Sequence, residues 1–266
     1  TNYYICMQLD KYLKEKFIYS NKSNIFKTVY FLIHRYFKNK PKFSYSGGGV
    51  DLLVNHFFRN QKKGIYLDIG CYHPINGSNT YLLYKKGWNG INIDLDEYSI
   101  DMFNNFRSDD LNKQVAVSDY KGKITLYTYH NRSAVQTVNQ QNAEKMNPKG
   151  LKKINIECDT LNSIIENSKF KNMEIDFLSI DIEGHELNAL RTFDFNKYKP
   201  KLVVIEYNDP ELATLEFHYQ KIENVMKSEI YKFMYDQNYK FVNWHHCDLV
   251  FISDSIFKNR KIHQFN

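Results

Sequence analysis

The sequence predicts an α/β fold in which parallel strands alternate with helices to form a doubly wound sheet. Two short apolar runs, residues 65–68 and 90–94, each end in a carboxylate, as buried strands do when they end beneath a ligand. Strand-like and helix-like segments alternate from there to the C-terminus. With 266 residues, of which 42% are hydrophobic, the chain can bury one large core.

Seven strands and their connecting segments follow in order. The predicted strands are residues 65–68, 90–94, 113–118, 175–181, 202–206, 239–245 and 247–253, the last one antiparallel. Residues 50–58 predict a helix before the first strand, and residues 78–86 predict a second helix that begins at a polar cap and ends at Gly87. Residues 121–123 predict a tight turn into a β extension over 124–129. Residues 131–150 are polar and aperiodic, and they are interpreted either as a lid or as a solvated loop.

The first 43 residues predict a basic helical extension, separate from a domain over residues 44–266. Residues 1–42 contain eight lysines and Arg35 against two acids, so the rest of the chain is close to neutral. Residues 25–37 show helical apolar spacing but are too short and too charged to cross a bilayer. They are compatible with peripheral membrane contact through residues 11–42, with packing on the chain's own domain, or with a homo-oligomer interface.

The cysteines and the N-terminal sequence indicate the cellular compartment in which the protein works. The four cysteines are scattered, with no C-x-x-C spacing, which argues against a zinc site or a disulfide scaffold and favours a reducing, cytoplasmic setting. No secretory signal is visible, and because the chain starts at Thr1 we expect an upstream part.

The loop after the first strand predicts the type of cofactor. A pyrophosphate or phosphate site needs a G-x-G-x-x-G or G-x-x-x-x-G-K-[ST] loop, whereas here bulky residues follow the single Gly70. Asp94 ends the second strand at the separation expected of a ribose-binding acid, with Asp96 as the alternative. Asp68 is interpreted either as a cofactor ligand or as a strand-end cap. The pattern favours S-adenosylmethionine, whose site needs a tight turn and carboxylates.

The most specific stretch is Asp-Ile-Glu-Gly-His-Glu at residues 181–186. It follows the fourth strand, so Asp181, Glu183 and His185 are expected at the edge of the sheet where ligands bind. Asp181 or His185 could remove a proton from an acceptor hydroxyl, with Glu183 as a third candidate. Glu186 is interpreted instead as a carboxylate of the first helical turn, which is also the alternative for Glu183, and His185 is alternatively a surface or capping residue.

These motifs resemble the FkbM-type family of S-adenosylmethionine-dependent methyltransferases. The resemblance extends over about residues 45–253 and includes, besides the motif at 181–186, the segments 68–71, 73–74, 78–80, 87–94 and 203–207. It implies a class I, Rossmann-like methyltransferase fold and methyl transfer to oxygen, commonly on a sugar or polyketide-type hydroxyl. It assigns the cofactor site to Asp68, Gly70, Cys71, Tyr72, Asn79, Asp94, Ser118 and Asp181.

The acceptor is expected to be a sugar or glycan, bound by Glu206 and Asn208 at the end of the fifth strand. A divalent cation held by Asp181 and Glu206, with Asn208 and Asp209 nearby, is an alternative way to acidify a hydroxyl, although no metal ligand is assigned. Two other functions stay open. One is a nucleic-acid methyltransferase that uses the basic N-terminus, which the near-neutral body and the lack of an N-P-P-[FY] tetrad disfavour. The other is a non-catalytic binding protein.

Overall fold

The computed structural model describes residues 11–19, 24–38, 42–128, 136–146, 151–209 and 219–259. The chain forms two compact units, Thr1–Phe43 and Ser44–Asn266. The first contains a π-helical turn, Lys14–Ile18, and helix α1, Asn24–Lys38. No helix in the described part of the chain combines the length and apolarity that a membrane crossing needs.

The second unit is built on a seven-stranded sheet. Its strands are β1 (Ile65–Ile69), β2 (Asn89–Asp94), β3 (Leu111–Gln114), β7 (Phe177–Ile180), β8 (Leu202–Glu206), β9 (Tyr239–His245) and β10 (Asp248–Ser253). They lie in the order β3-β2-β1-β7-β8-β10-β9. In this sheet β10 runs opposite to the other six strands, so its pairings with β8 and β9 are antiparallel and the remaining pairings are parallel. The predicted doubly wound sheet with an antiparallel last strand is therefore confirmed.

A second, three-stranded sheet corrects one prediction and contains a strand that was not predicted. It consists of β4 (Ala116–Val117), β6 (Lys152–Asp159) and β5 (Gly122–Thr128), in that order. The single strand predicted over residues 113–118 is wrong, because β3 ends at Gln114 and β4 pairs with β6 instead of with the main sheet. Strand β6 was not predicted, although its apolar residues alternate over 154, 156 and 158.

Helices cover both faces of the main sheet. The helices of the second unit are α2 (Val50–Phe57), α3 (Tyr81–Tyr84), α4 (Glu97–Phe106), α5 (Gln140–Met146), α6 (Leu161–Glu166), α7 (Glu186–Leu190), α8 (Phe195–Tyr198), α9 (Ile222–Lys227), α10 (Glu229–Asp236) and α11 (Asp254–Lys258). On one face Val50 and Val54 pack with Trp88 and Phe177. The opposite face holds a larger cluster that includes Leu161. Strands β1, β7 and β8 are buried throughout, which is why their sequences are almost uninterrupted apolar runs.

The helix predicted over residues 78–86 is shorter than expected. The Ser78 hydroxyl accepts hydrogen bonds from the amides of Thr80 and Tyr81. The helix α3 begins only at Tyr81, three residues after this polar cap. The chain leaves the helix at Gly87, whose φ of 88° is the left-handed conformation usual after a helix.

Candidate functional site

A cavity of about 460 Å³ lies beyond the carboxyl ends of β1, β2 and β7, where ligands bind in open α/β sheets. Its volume falls within the roughly 300–1,000 Å³ of small-molecule sites. Leu95, Met102, Val115 and Val117 supply an apolar wall, and the acids Asp94, Asp96, Asp181 and Glu183 lie on its polar side. Sequence reasoning missed the apolar wall, although Leu95 directly follows the predicted ribose-binding acid.

Gly70 allows the chain to turn sharply at the floor of this cavity. Its φ is 76°, and a Cβ there would collide with the carbonyl oxygen of Asp181. Its amide donates to the carbonyl of Ile93 over 2.8 Å, and the amide of Tyr72 donates to the Asp94 carboxylate over 2.8 Å. The turn is thereby attached to the end of β2. Gly70 and Tyr72, both predicted as cofactor residues, line the cavity.

Asp94 and Asp96, the two candidates for the ribose partner, have different surroundings. The second oxygen of Asp94 accepts the amide of Asp96 over 2.9 Å, so the carboxylate is held in one orientation at the cavity wall. Burial raises the pKa of Asp94 to about 6, against the lowering effect of these amide hydrogen bonds. Asp96 caps α4 by accepting from the amide and hydroxyl of Ser99. This helix-capping role makes Asp94 the better candidate for ligand contact.

Asp68 lies behind the cavity and not on its wall. It is 4% exposed and accepts the hydroxyl of Thr80 over 2.6 Å. Burial raises its pKa to about 6, while the Thr80 hydrogen bond and the charge of Arg107 act in the opposite direction. These contacts agree with the interpretation of Asp68 as a residue that caps the end of a strand. Its role as a cofactor ligand stays a prediction.

Arg107 organises the loop between β1 and α3, and the sequence analysis did not identify it. The guanidinium is fully buried and donates to the carbonyl of Pro74, to the Ser78 hydroxyl over 2.8 Å and to the Thr80 hydroxyl over 2.8 Å. Because Thr80 passes a hydrogen bond on to Asp68, one cation holds both the loop and the buried acid. A lone arginine at the end of an amphipathic helix carries no sequence signal of this role.

Three further predicted cofactor residues do not line the cavity. The Cys71 side chain is buried with Ile100 and Phe103. Asn79 donates its amide to the Ser179 hydroxyl over 3.0 Å. Ser118 is fully buried, and the cavity wall at this strand end comes from residues 115–117 instead. Contact of these side chains with a cofactor stays a prediction, and their observed contacts are structural.

The motif at residues 181–186 divides into structural and cavity-facing groups. Glu186 accepts the amides of Ile182 and Gly184, each over 3.0 Å, so it closes the turn before α7 as expected of a first-turn carboxylate. Asp181 and Glu183 line the cavity. Glu183 has a left-handed φ of 56°, and burial together with the Asp181 and Glu186 carboxylates raises its pKa to about 7.

His185 is half-buried and lies away from the cavity wall. Its Nε2 is 3.3 Å from the Ser118 hydroxyl. Burial lowers the pKa of His185, although Asp119 acts against this, which favours the neutral form of the imidazole. It is a candidate base only for a group that reaches beyond the cavity wall.

Glu206 is the last residue of β8, and Asp181 directly follows the neighbouring strand β7. Asp181 lines the cavity. Glu206 is 8% exposed, and its carboxyl lies at hydrogen-bonding distance from that of Asp181. Burial and the carboxylates of Asp181, Glu183 and Glu186 raise the pKa of Glu206 far above its usual range. Asn208 donates to Glu206 Oε1 over 3.1 Å. Neither Glu206 nor Asn208 lines the cavity directly.

Part of the polar segment over residues 131–150 lines the cavity. Gln136 and Val138 line it, while Thr137 donates to the Glu183 carbonyl and Asn139 to the Gly184 carbonyl. Residues 136–139 therefore form a part of the wall that is attached to the central motif. The remainder of the proposed lid, residues 131–135 and 147–150, lies outside the described residues.

The strand order and the cavity at the carboxyl edge define a Rossmann-like α/β protein with a small-molecule site. The profile of the family described as "Methyltransferase FkbM domain" matches residues 68–241. This match covers more than half of the 266 residues, and the chain belongs to that family.

Comparison with solved structures gives a similarity to an O-methyltransferase from Bacillus cereus in complex with SAH. The two are 13% identical with a TM-score of 0.37, over 92% of this chain and 96% of the other. A TM-score this low adds nothing to the fold assignment, which rests on the strand order. No curated protein matches the sequence.

Proposed function

We propose that this chain is an S-adenosylmethionine-dependent O-methyltransferase that methylates a hydroxyl group of a sugar or glycan. One observation carries the proposal: acids at the ends of two parallel strands, Asp94 of β2 and Asp181 after β7, line a single cavity. Membership of the methyltransferase family supports methyl transfer.

The cavity fits this cofactor by the chemistry of its donors and its shape. Asp94 is fixed by two backbone amides, and a carboxylate oxygen can accept more than one hydrogen bond, so it can still accept the hydroxyls of a ribose. The apolar side chains of Leu95, Met102 and Val117 provide a surface for a base. The turn at Gly70 leaves no room for a side chain. These features suit an adenosine that carries no phosphate.

The reaction needs alignment and the removal of one proton. When bound, S-adenosylmethionine supplies a methyl group on a sulfonium: the S–CH₃ bond breaks, a C–O bond forms, and S-adenosylhomocysteine leaves. Asp181 lies on the cavity wall and can receive the hydroxyl proton as the C–O bond forms. His185, whose lowered pKa favours the neutral imidazole but which does not line the cavity, is the second candidate. The segment at Gln136 and Val138 limits access of water.

The acceptor class is proposed from the family resemblance and from the acidic side of the cavity. Carboxylates accept hydrogen bonds, and a sugar presents hydroxyl donors. Glu206 and Asn208 lie behind Asp181 and are proposed to orient the acceptor through that residue.

Purified protein and labelled S-adenosylmethionine, offered sugar nucleotides, oligosaccharides and RNA separately, would test the proposal. We expect label transfer to a sugar hydroxyl, and a loss of about 10²-fold or more in kcat for Asp181→Asn with the affinity for S-adenosylhomocysteine little changed. His185→Gln is the matched variant that separates the two candidate bases. Labelling of RNA alone, or of no acceptor although S-adenosylhomocysteine binds, would contradict the proposed reaction.

A further inference from the structure

Three carboxyl groups meet where β7 and β8 end side by side. One oxygen from each of Asp181, Glu183 and Glu206 lies within 4.8 Å of the other two. Oxygen ligands at about 2.1–2.4 Å from one divalent ion are at most about 4.2–4.8 Å apart. The spacing of the three carboxyl groups is therefore compatible with their binding a single cation.

A second observation, independent of this spacing, concerns the hydrogen bonding of Glu206. Its side chain is more than nine-tenths buried, and Oε1 accepts from Asn208. Among the residues that the structure describes, no donor reaches Oε2. The carboxyl group faces Asp181, another acceptor. A buried carboxylate oxygen that meets only a second carboxylate needs a positive partner.

Two partners could satisfy this oxygen, a proton shared by two carboxyl groups or a cation. A shared proton joins two groups, whereas here a third carboxylate, Glu183, reaches the same point. All candidate ligands are carboxylate oxygens, which suit Mg²⁺, Mn²⁺ and Ca²⁺ and not the softer metals. The number and type of the ligands therefore favour a cation.

We propose that Asp181, Glu183 and Glu206 bind one divalent cation of the hard, oxygen-preferring class. Asp181 and Glu183 also line the cavity, whereas Glu206 holds the ion from behind. The cation would lie at the cavity wall, where it can hold an acceptor hydroxyl and make it more acidic. That part in methyl transfer rests on the proposed function, but the binding of the cation does not.

The full chain, first stripped with a chelator, is titrated with Mn²⁺ and followed by electron paramagnetic resonance of the free ion. We expect one saturable site per chain, with a dissociation constant below roughly 1 mM. Glu206→Gln should weaken Mn²⁺ binding about tenfold or more. Asp181→Asn should weaken Mn²⁺ binding to the same extent. Because Asp181 is exposed, this variant keeps the test valid where Glu206→Gln fails to fold.

Asp248→Asn is the matched control. Asp248 pairs with Glu206 across β8 and β10 and is 7% exposed, but it is not one of the three ligands. It should bind Mn²⁺ within about threefold of the unmodified chain, within the usual scatter of such effects. Absence of saturable binding, or binding that survives both Glu206→Gln and Asp181→Asn, would overturn the inference.

A parallel titration with S-adenosylhomocysteine separates the two proposals. A chain that binds S-adenosylhomocysteine but no Mn²⁺ refutes the cation site and leaves the proposed methyl transfer standing. Saturable Mn²⁺ binding that both ligand variants lose supports the cation site even where no acceptor is methylated.

Discussion

Replacing Arg107 by methionine tests how the loop around the cavity is held. The substitution removes the donors to Pro74, Ser78 and Thr80. It also removes a positive charge that favours the ionised form of the buried Asp68. Loss of one partner from a buried charged network costs about 3–5 kcal/mol. Since these contacts all belong to one guanidinium, the separate hydrogen-bond energies are not added to that figure.

Urea unfolding monitored by intrinsic fluorescence measures this loss, with Arg191→Met as control. Arg191 is an exposed arginine that follows helix α7, so its replacement should change the free energy of unfolding by less than about 0.5 kcal/mol. Arg107→Lys should fall between the two, because lysine keeps the charge but lacks the planar fork that contacts three acceptors.

The pH dependence makes the test sharper. The folded-state pKa of Asp68, about 6, lies above its ordinary value of 3.8, so burial of Asp68 costs stability that grows as the pH rises from about 4 to about 6 and is complete above that. Near pH 5 Asp68 is mostly protonated in the folded chain, so little ionised Asp68 remains for Arg107 to stabilise. Arg107 compensates the ionised form. The cost of Arg107→Met should therefore be larger at pH 8 than at pH 5. An unfolding free energy equal to that of Arg191→Met, or a cost independent of pH, would refute this account.

Two further predictions concern the ends of β1 and β2. Asp94→Asn should weaken S-adenosylhomocysteine binding at least about tenfold at pH 7.5 in calorimetry. Because the pKa of Asp94 is raised to about 6, affinity of the unmodified chain should fall as pH drops below 6, and an equal fall in Asp94→Asn would contradict the assignment. Gly70→Ala should destabilise the fold by more than about 2 kcal/mol. Gly77→Ala, with a similar φ of 75° but only ordinary contact with Tyr72, should cost about 1 kcal/mol, and equal urea midpoints for the two variants would contradict the collision with Asp181.

The sheet was predictable because its signal is local. Strands β1, β7 and β8 are buried on both faces, so each reads as an apolar run that ends in polar residues at the ligand edge. The prediction for the short strands β3 and β4 was wrong because the signal that separates them is not local. Residues 113–118 form a continuous strand-like segment, and only its partners, β2 for one part and β6 for the other, show that it changes sheet.

The candidate site was predictable at the strand ends and not between them. Gly70, Asp94 and Asp181 line the cavity because strand topology alone brings them to one edge. The placement of Cys71 and Ser118 depends on which way a side chain turns after the strand ends, and both turn into the protein. Periodicity does not extend past the end of a strand, so these orientations have no sequence signal.

Hydrogen bonding separates the acids at the strand ends into two groups. Glu186 is occupied by two amides of its own turn, and Asp94 is oriented by two amides while remaining on the cavity wall. Asp181 and Glu206 instead face each other, and no described donor reaches Glu206 Oε2. A carboxylate that the fold satisfies stabilises the fold, whereas one that the fold leaves facing another acid must meet a proton, a cation or a substrate. The chemistry is therefore expected at Asp181, where such a carboxylate is open to the cavity.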